Sequence, residues 1–157
     1  MQQRVYHVTR EGLAQLREQL EQCAGPLRKD IAERLHAAKM GPNPQHDAEY
    51  ESARTEQETN ERRIHELEEM IRFAMVIDEE RARSSDVVTL GSRVRVRYPD
   101  GAERAFQIVG SVEADPVAGR ISNESPMGRA LAGKAVGEEA AVRAPNGLTL
   151  VEVVAIE

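Results

Sequence analysis

Five residues between Met40 and Tyr50 carry side chains suited to chemistry: Asn43, Gln45, His46, Asp47 and Glu49. Asp47 and Glu49 are carboxylates, the ligands that a hard divalent cation prefers. They stand two residues apart, and such a pair does not share one face of a helix. His46 has no second histidine at ligand spacing, so its ordinary reading is a solvent-exposed residue. Asn43 followed by Pro44 reads as a helix N-cap and first helical residue. Asp47 also suits the positive end of a helix. Tyr50, the nearby aromatic, can stack on a base or pack against a neighbouring helix.

Two long helical patterns flank this stretch. Thr9 is a capping residue for the first. Apolar residues then recur at Leu13, Leu16, Leu20, Cys23 and Leu27, spaced by three and four, which predicts a coiled-coil seam. Gly25-Pro26 interrupts it. Proline removes a backbone donor, so a kink or loosened turn is expected. The stripe resumes at Ile31, Leu35 and Ala38. The second helix is expected to run from the Asn43 cap to Ile77, with its apolar stripe richest at Ile64, Leu67, Met70, Ile71, Ala74 and Ile77. Two helices of matching length joined by a Pro/Gly-rich loop predict an antiparallel hairpin over 1–77 with its tip at 40–50. Each arm would reach roughly 45 Å at 1.5 Å per residue. The seam, Cys23 included, is expected to be core, because the chain supplies its own partner helix. Arg34, Lys39 and Arg54 form a basic strip on the part of the hairpin toward the tip.

Residues Asp78 to Asp86 are polar and without periodicity, and read as a linker. Beyond them the period changes to two. Val94, Val96 and Tyr98 alternate with Arg93, Arg95 and Arg97, the signature of a half-buried strand. Pro99-Asp100-Gly101 is a hairpin turn, with Ala105 to Val109 as the partner strand. Further short strands are expected at Arg120–Ser122, Ala140–Val142 and Leu148–Ile156, with a short helix from Met127 to Ala132. The expected fold class is α+β, with a small, mostly antiparallel sheet domain over 87–157.

Composition narrows the partners. Net charge is -6 and the pI is near 5.4, which disfavours free nucleic acid as the main partner. One cysteine allows no internal disulfide. The N-terminal residues lack the apolar run of a signal peptide, and no window approaches the roughly 20 apolar residues of a membrane span. A monomeric cytoplasmic protein is expected, with no membrane partner.

Several segments, taken in order, resemble one family. They are Thr9-Arg10-Glu11-Gly12 with Leu13 and Leu16, then Ala48-Glu49-Tyr50 with Ala53-Arg54, then Ile108-Val109-Gly110 and Glu113-Ala114-Asp115. The last runs from Ile121 to Lys134 and contains Ser125-Pro126-Met127-Gly128-Arg129-Ala130-Leu131. Together they are similar to the bacterial Gre transcript-cleavage factors. The resemblance implies an N-terminal antiparallel coiled-coil hairpin and a small FKBP-like sheet domain. It also implies bacterial RNA polymerase as partner. Glu124, Ser125, Pro126 and Met127 would dock on the rim of the polymerase's secondary channel. The hairpin would enter that channel, with Arg34, Lys39 and Arg54 following the 3′ segment of the nascent RNA. In this family two tip acids help hold a second magnesium ion at the polymerase's own active site.

The tip of this chain departs from that motif. Alignment on Ala48-Glu49-Tyr50 puts Asn43 and His46 where the acids belong. Alignment on Gly41 puts Pro42 and Gln45 there, since the loop is one residue longer. Neither places a carboxylate at either position, and imidazole is a poor magnesium ligand. The expected function is therefore that of a regulator, not an enzyme, which inhibits or pauses transcription or competes with Gre factors without normal cleavage stimulation. The alternative is a cleavage-stimulating factor using shifted acids, Asp47 and Glu49, on a polymerase-bound ion. No cofactor of its own is expected; magnesium would be shared with the polymerase.

Overall fold

The computed structural model describes residues 4–43 and 47–157. It divides the chain into two compact units. One is Leu13–Phe73; the other joins the residues up to Gly12 with Ala74–Glu157. The class is α+β: a helical hairpin and a curled sheet domain.

In the hairpin unit, α1 (Arg10–Gln22) leads into a π-helical turn, Cys23–Leu27, and then into α2 (Arg28–Lys39). The expected disturbance at Gly25-Pro26 is thus a widened turn. Pro26 has no N–H to give to the preceding turn, and the helix loosens around it. The returning helix is α3 (Ala48–Arg72), packed against α2. Leu16, Ile31, Ala38, Ala53, Ile64 and Leu67 are buried, following the three-and-four spacing. Fully burying an aliphatic side chain of this size is worth about 1.5–3 kcal/mol. Burial along the first arm's seam is less complete than expected, with Leu13, Leu20 and Leu35 half-buried. Leu27 is 41% exposed, and Cys23 is only half-buried. Both line a groove of about 320 Å³ beside Ile31, Thr55 and Thr59. The π turn rotates them off the seam.

The helix bounds also differ from the sequence reading. Asn43 does not cap α3. Asp47 does, in an extended conformation (φ -85°, ψ 120°), its carboxylate accepting from the Glu49 N–H. At the other end α3 stops at Arg72. Residues 74–76, expected to be helical, form strand β2 (Ala74–Val76) in parallel with β1 (Tyr6–Val8). Backbone pairing with a segment far away in sequence overrides the local helical pattern there.

The second unit contains that β1–β2 pair and a five-stranded sheet. Its strands are β3 (Arg93–Arg97), β4 (Glu103–Val109), β5 (Arg120–Ser122), β6 (Glu139–Ala144) and β7 (Gly147–Ile156), in the order β5-β4-β3-β7-β6. The pairing is antiparallel except for β4 with β5, which is parallel. Alternation along β3 buries Val94 and Val96 and leaves the three arginines outside. Those valines join Val88, Ile108, Leu131, Val151 and Val153 in one core. The segment read as a linker is partly helical. Helix α4 (Glu79–Arg83) is capped by Asp78, which accepts from the Arg81 N–H at 3.0 Å, and Ala82 is buried beneath it. A five-residue helix holding one small buried residue is too short to show a helical period in sequence. Among the described residues no helix is long and apolar enough to cross a membrane.

Candidate functional site

The hairpin loop begins where α2 runs out. Met40 and Gly41 donate back to the Ala37 and Ala38 carbonyls, and Pro42 and Asn43 are exposed. Gln45 and His46 lie outside the described residues. On the far side Asp47 is half-buried and Glu49 exposed. Asp47 Oδ1 accepts from the Glu49 N–H at 2.9 Å, and Asp47 O accepts from the Glu51 N–H at 3.2 Å. The other carboxylate oxygen lies toward Gly41; a Cβ added to that glycine would stand 3.8 Å from Asp47 Oδ2. One acid therefore turns back on the loop to finish a helix, and the next points to solvent. Among the described residues no group of three or more His, Cys, Asp or Glu side chains could hold a metal ion.

The three basic residues fare differently from one another. Arg34 is not a free cation. Its guanidinium takes both carboxylate oxygens of Glu56 across the hairpin and also reaches Asp30 at 3.1 Å. The hydrogen bond to Glu56 raises its pKa well above the usual arginine value and lowers that of Glu56. Arg54 lies 3.7 Å from Glu58. Lys39 is exposed and has no ion pair among the described residues. Nearer the π turn, Arg28 grips Glu61 with two bonds of 2.9 Å, raising the arginine's pKa and lowering the acid's. Charge spacing along one helix makes pairs such as Asp30–Arg34 and Arg54–Glu58 legible in sequence. It could not reveal these two cross-hairpin clamps, because they depend on which residues the arms bring opposite each other.

The Glu124–Met127 segment is a rigid corner. Ser125 caps α5 (Pro126–Leu131), accepting from the Gly128 N–H at 3.1 Å and donating to the Ser122 carbonyl at 2.6 Å. Glu124 accepts from the Ser111 hydroxyl at 2.9 Å, and its own N–H donates to Ser122 Oγ at 3.0 Å. Gly128 is required by contact. A Cβ there would stand 2.1 Å from the Ser122 carbonyl oxygen. Met127 packs on the sheet core. Of the four residues singled out in the sequence, Glu124 and Pro126 thus face outward, while Ser125 and Met127 hold the corner in shape. Glu124 and Pro126 also line a hollow of about 410 Å³ with Arg129, Ala130, Ala141 and Arg143. Arg129 and Arg143 had not been singled out. Arg129 lies one helical turn beyond Pro126, a spacing visible in sequence, but Arg143 comes from β6 and only folding brings it there.

Comparison with known proteins covers the chain from end to end. Residues 6–76 match the family described as "Transcription elongation factor, N-terminal". Residues 83–157 match "Transcription elongation factor, GreA/GreB, C-term". Transcription elongation factor GreA of Bacillus cytotoxicus is 42% identical over 156 residues, 99% of this chain and 98% of that protein. GreA of Geobacillus kaustophilus is 42% identical over 153 residues, 97% and 96% of the two chains. Among solved structures, GreA factor homolog 1 of Thermus thermophilus is 30% identical, with a TM-score of 0.45 over 98% of this chain and 99% of that one. With both halves matched in order and full-length relatives at this identity, the chain belongs to the GreA/GreB family of transcription elongation factors.

Proposed function

We propose that this factor binds bacterial RNA polymerase, enters its secondary channel with the hairpin loop, and restrains transcription without stimulating transcript cleavage in the usual way. The observation that carries this reading is the use of Asp47. Its carboxylate accepts the Glu49 backbone N–H in the first turn of α3 and is folded toward Gly41, so it is not presented beside Glu49 as a pair. Asn43 is exposed on the other side of the loop and, as a neutral amide, brings no charge to a cation. The protein is then a regulator whose own residues catalyse nothing and which brings no cofactor. Its docking corner is Glu124 to Met127 with the flanking Arg129 and Arg143. Lys39 and Arg54 face the RNA 3′ segment through phosphate contacts, and Arg34 holds the hairpin arms together. The factor works as a cytoplasmic monomer.

Two assays test this. Stalled, backtracked polymerase complexes incubated with the protein should show cleavage no faster than their intrinsic rate. RNA synthesis should slow, and an added cleavage-competent Gre factor should lose effectiveness as this protein is titrated in. Robust cleavage that disappears in Asp47→Asn would overturn the reading in favour of shifted acids, because asparagine preserves the helix cap while removing the charge.

A further inference from the structure

We infer that Asn60, acting with Glu61, is a register lock that fixes the axial position of one hairpin arm against the other, and with it the position of the loop residues. Asn60 is 5% exposed, on the buried face of α3 that also carries Ala53, Ile64 and Leu67. Its Nδ2 donates to the Cys23 carbonyl at 2.9 Å. Cys23 is the first residue of the π turn. Asn60 Oδ1 is buried and has no partner among the described residues. A leucine at this position would remove the orphaned Oδ1 while taking the Asn60 donor from the Cys23 carbonyl; the unpartnered oxygen is a cost in stability that the amide carries for its one bond. A buried asparagine in a helix seam has a known use that stability does not explain: it admits one pairing and penalises the slipped ones.

The neighbouring residue strengthens the case. Glu61 grips Arg28, the first residue after the π turn. Two consecutive positions of α3 therefore bracket the turn, engaging first-arm residues five apart. On a regular α-helix, residues five apart point about 140° away from each other. The wider i→i+5 turn brings them closer to one side. The ion pairs alone would not enforce this register. Glutamates recur along α3 at Glu51, Glu56, Glu58, Glu61 and Glu66, each able to accept an arginine in a slipped pairing, whereas Asn60 is its single asparagine. Asn60 is thus a positioning residue. Its effect on transcription rests on the function proposed above; its effect on register does not.

The test uses the full chain with Cys23→Ser, which removes the thiol and leaves the accepting carbonyl. Spin labels at Glu18→Cys and Glu51→Cys, both exposed, report the axial offset of the arms by pulsed electron spin resonance. The parent should give one narrow distance. Asn60→Leu should keep its helical circular dichroism and broaden the distribution, or add a component displaced by about one helical turn, ~5 Å. Asn60→Thr provides the same measurement should the leucine variant not fold. A single unshifted distance in a folded Asn60 variant would overturn the lock. A shifted register in the variant, beside a parent protein that fails to slow RNA synthesis, would uphold the lock and sink the proposed function.

Discussion

The Glu113 carboxylate takes both donors of Thr9: one oxygen accepts the backbone N–H at 2.6 Å and the other accepts the hydroxyl. That hydroxyl in turn accepts from the Gly12 N–H at 3.0 Å, which caps α1. A residue 104 positions away therefore fixes the start of the first helix. Both residues are buried, and a Cβ on Gly12 would stand 2.2 Å from Glu113 Cδ. Glu113→Gln should lower stability by about 1–3 kcal/mol, because one of two buried donors loses its acceptor. Gly12→Ala should also destabilise, through the clash. Thermal unfolding of each variant checks this; midpoints equal to wild type would mean the carboxylate is not needed there.

Gly25 lies inside the π turn, yet a Cβ there would meet nothing within 4 Å. Its φ is not positive either. Gly25→Ala should therefore stabilise the hairpin by up to about 1 kcal/mol, from helix propensity alone. Chemical denaturation followed by circular dichroism measures the gain. A loss would show that the turn needs the flexibility of glycine.

Asp47 separates structure from charge. Asp47→Ala should cost about 1 kcal/mol through the lost cap, while Asp47→Asn should cost little. Equal losses in denaturant midpoint for both variants would mean that the negative charge, not the hydrogen bond, holds the end of α3.

Glu56 and Glu61 have lowered pKa values because Arg34 and Arg28 donate hydrogen bonds to them. A carboxylate lowered on folding adds stability that is complete above its unfolded pKa and lost as pH falls through its folded one. The hairpin should therefore weaken on the acid side of the ordinary carboxylate range. Arg34→Gln should make that fall shallower, and high salt should do the same, since the pairs are partly exposed. Melting midpoints across a pH series test it; parallel curves for wild type and Arg34→Gln would reject the clamp as the cause.

Gly128→Ala should disrupt the Ser122–Ser125 corner, since the added methyl collides with a backbone carbonyl that cannot swing aside. Binding to core polymerase, measured by co-migration, should fall sharply, whereas Glu139→Ala on the exposed edge of β6 should bind normally. Equal binding by both variants would place the docking surface elsewhere.

The sequence alone determined the elements that rest on local pattern. The three-and-four spacing of Leu16, Ile31, Ile64 and Leu67 marks the hairpin seam. The alternation of Val94 and Val96 with arginines marks a central strand. Pro26 marks a broken helix, Thr9 its start, and the residues from Met127 a short helix, α5, which in the fold begins one residue earlier at Pro126. Each follows from the side chain's own geometry and from one or two turns of its neighbours. The tertiary structure decided what depends on distant partners. Residues 74–76 continue a helical pattern but become a strand because Tyr6–Val8 offers its backbone. Asp47 takes the cap that Asn43 was expected to supply, because α3 begins at Ala48 and its first free N–H groups lie beside Asp47. Arg34, read as a basic contact, is claimed by Glu56 from the opposite arm. Pairing across space fixes these roles: a charge or a backbone donor goes to whichever partner the fold brings within about 3 Å, and spacing along the chain does not contain that distance.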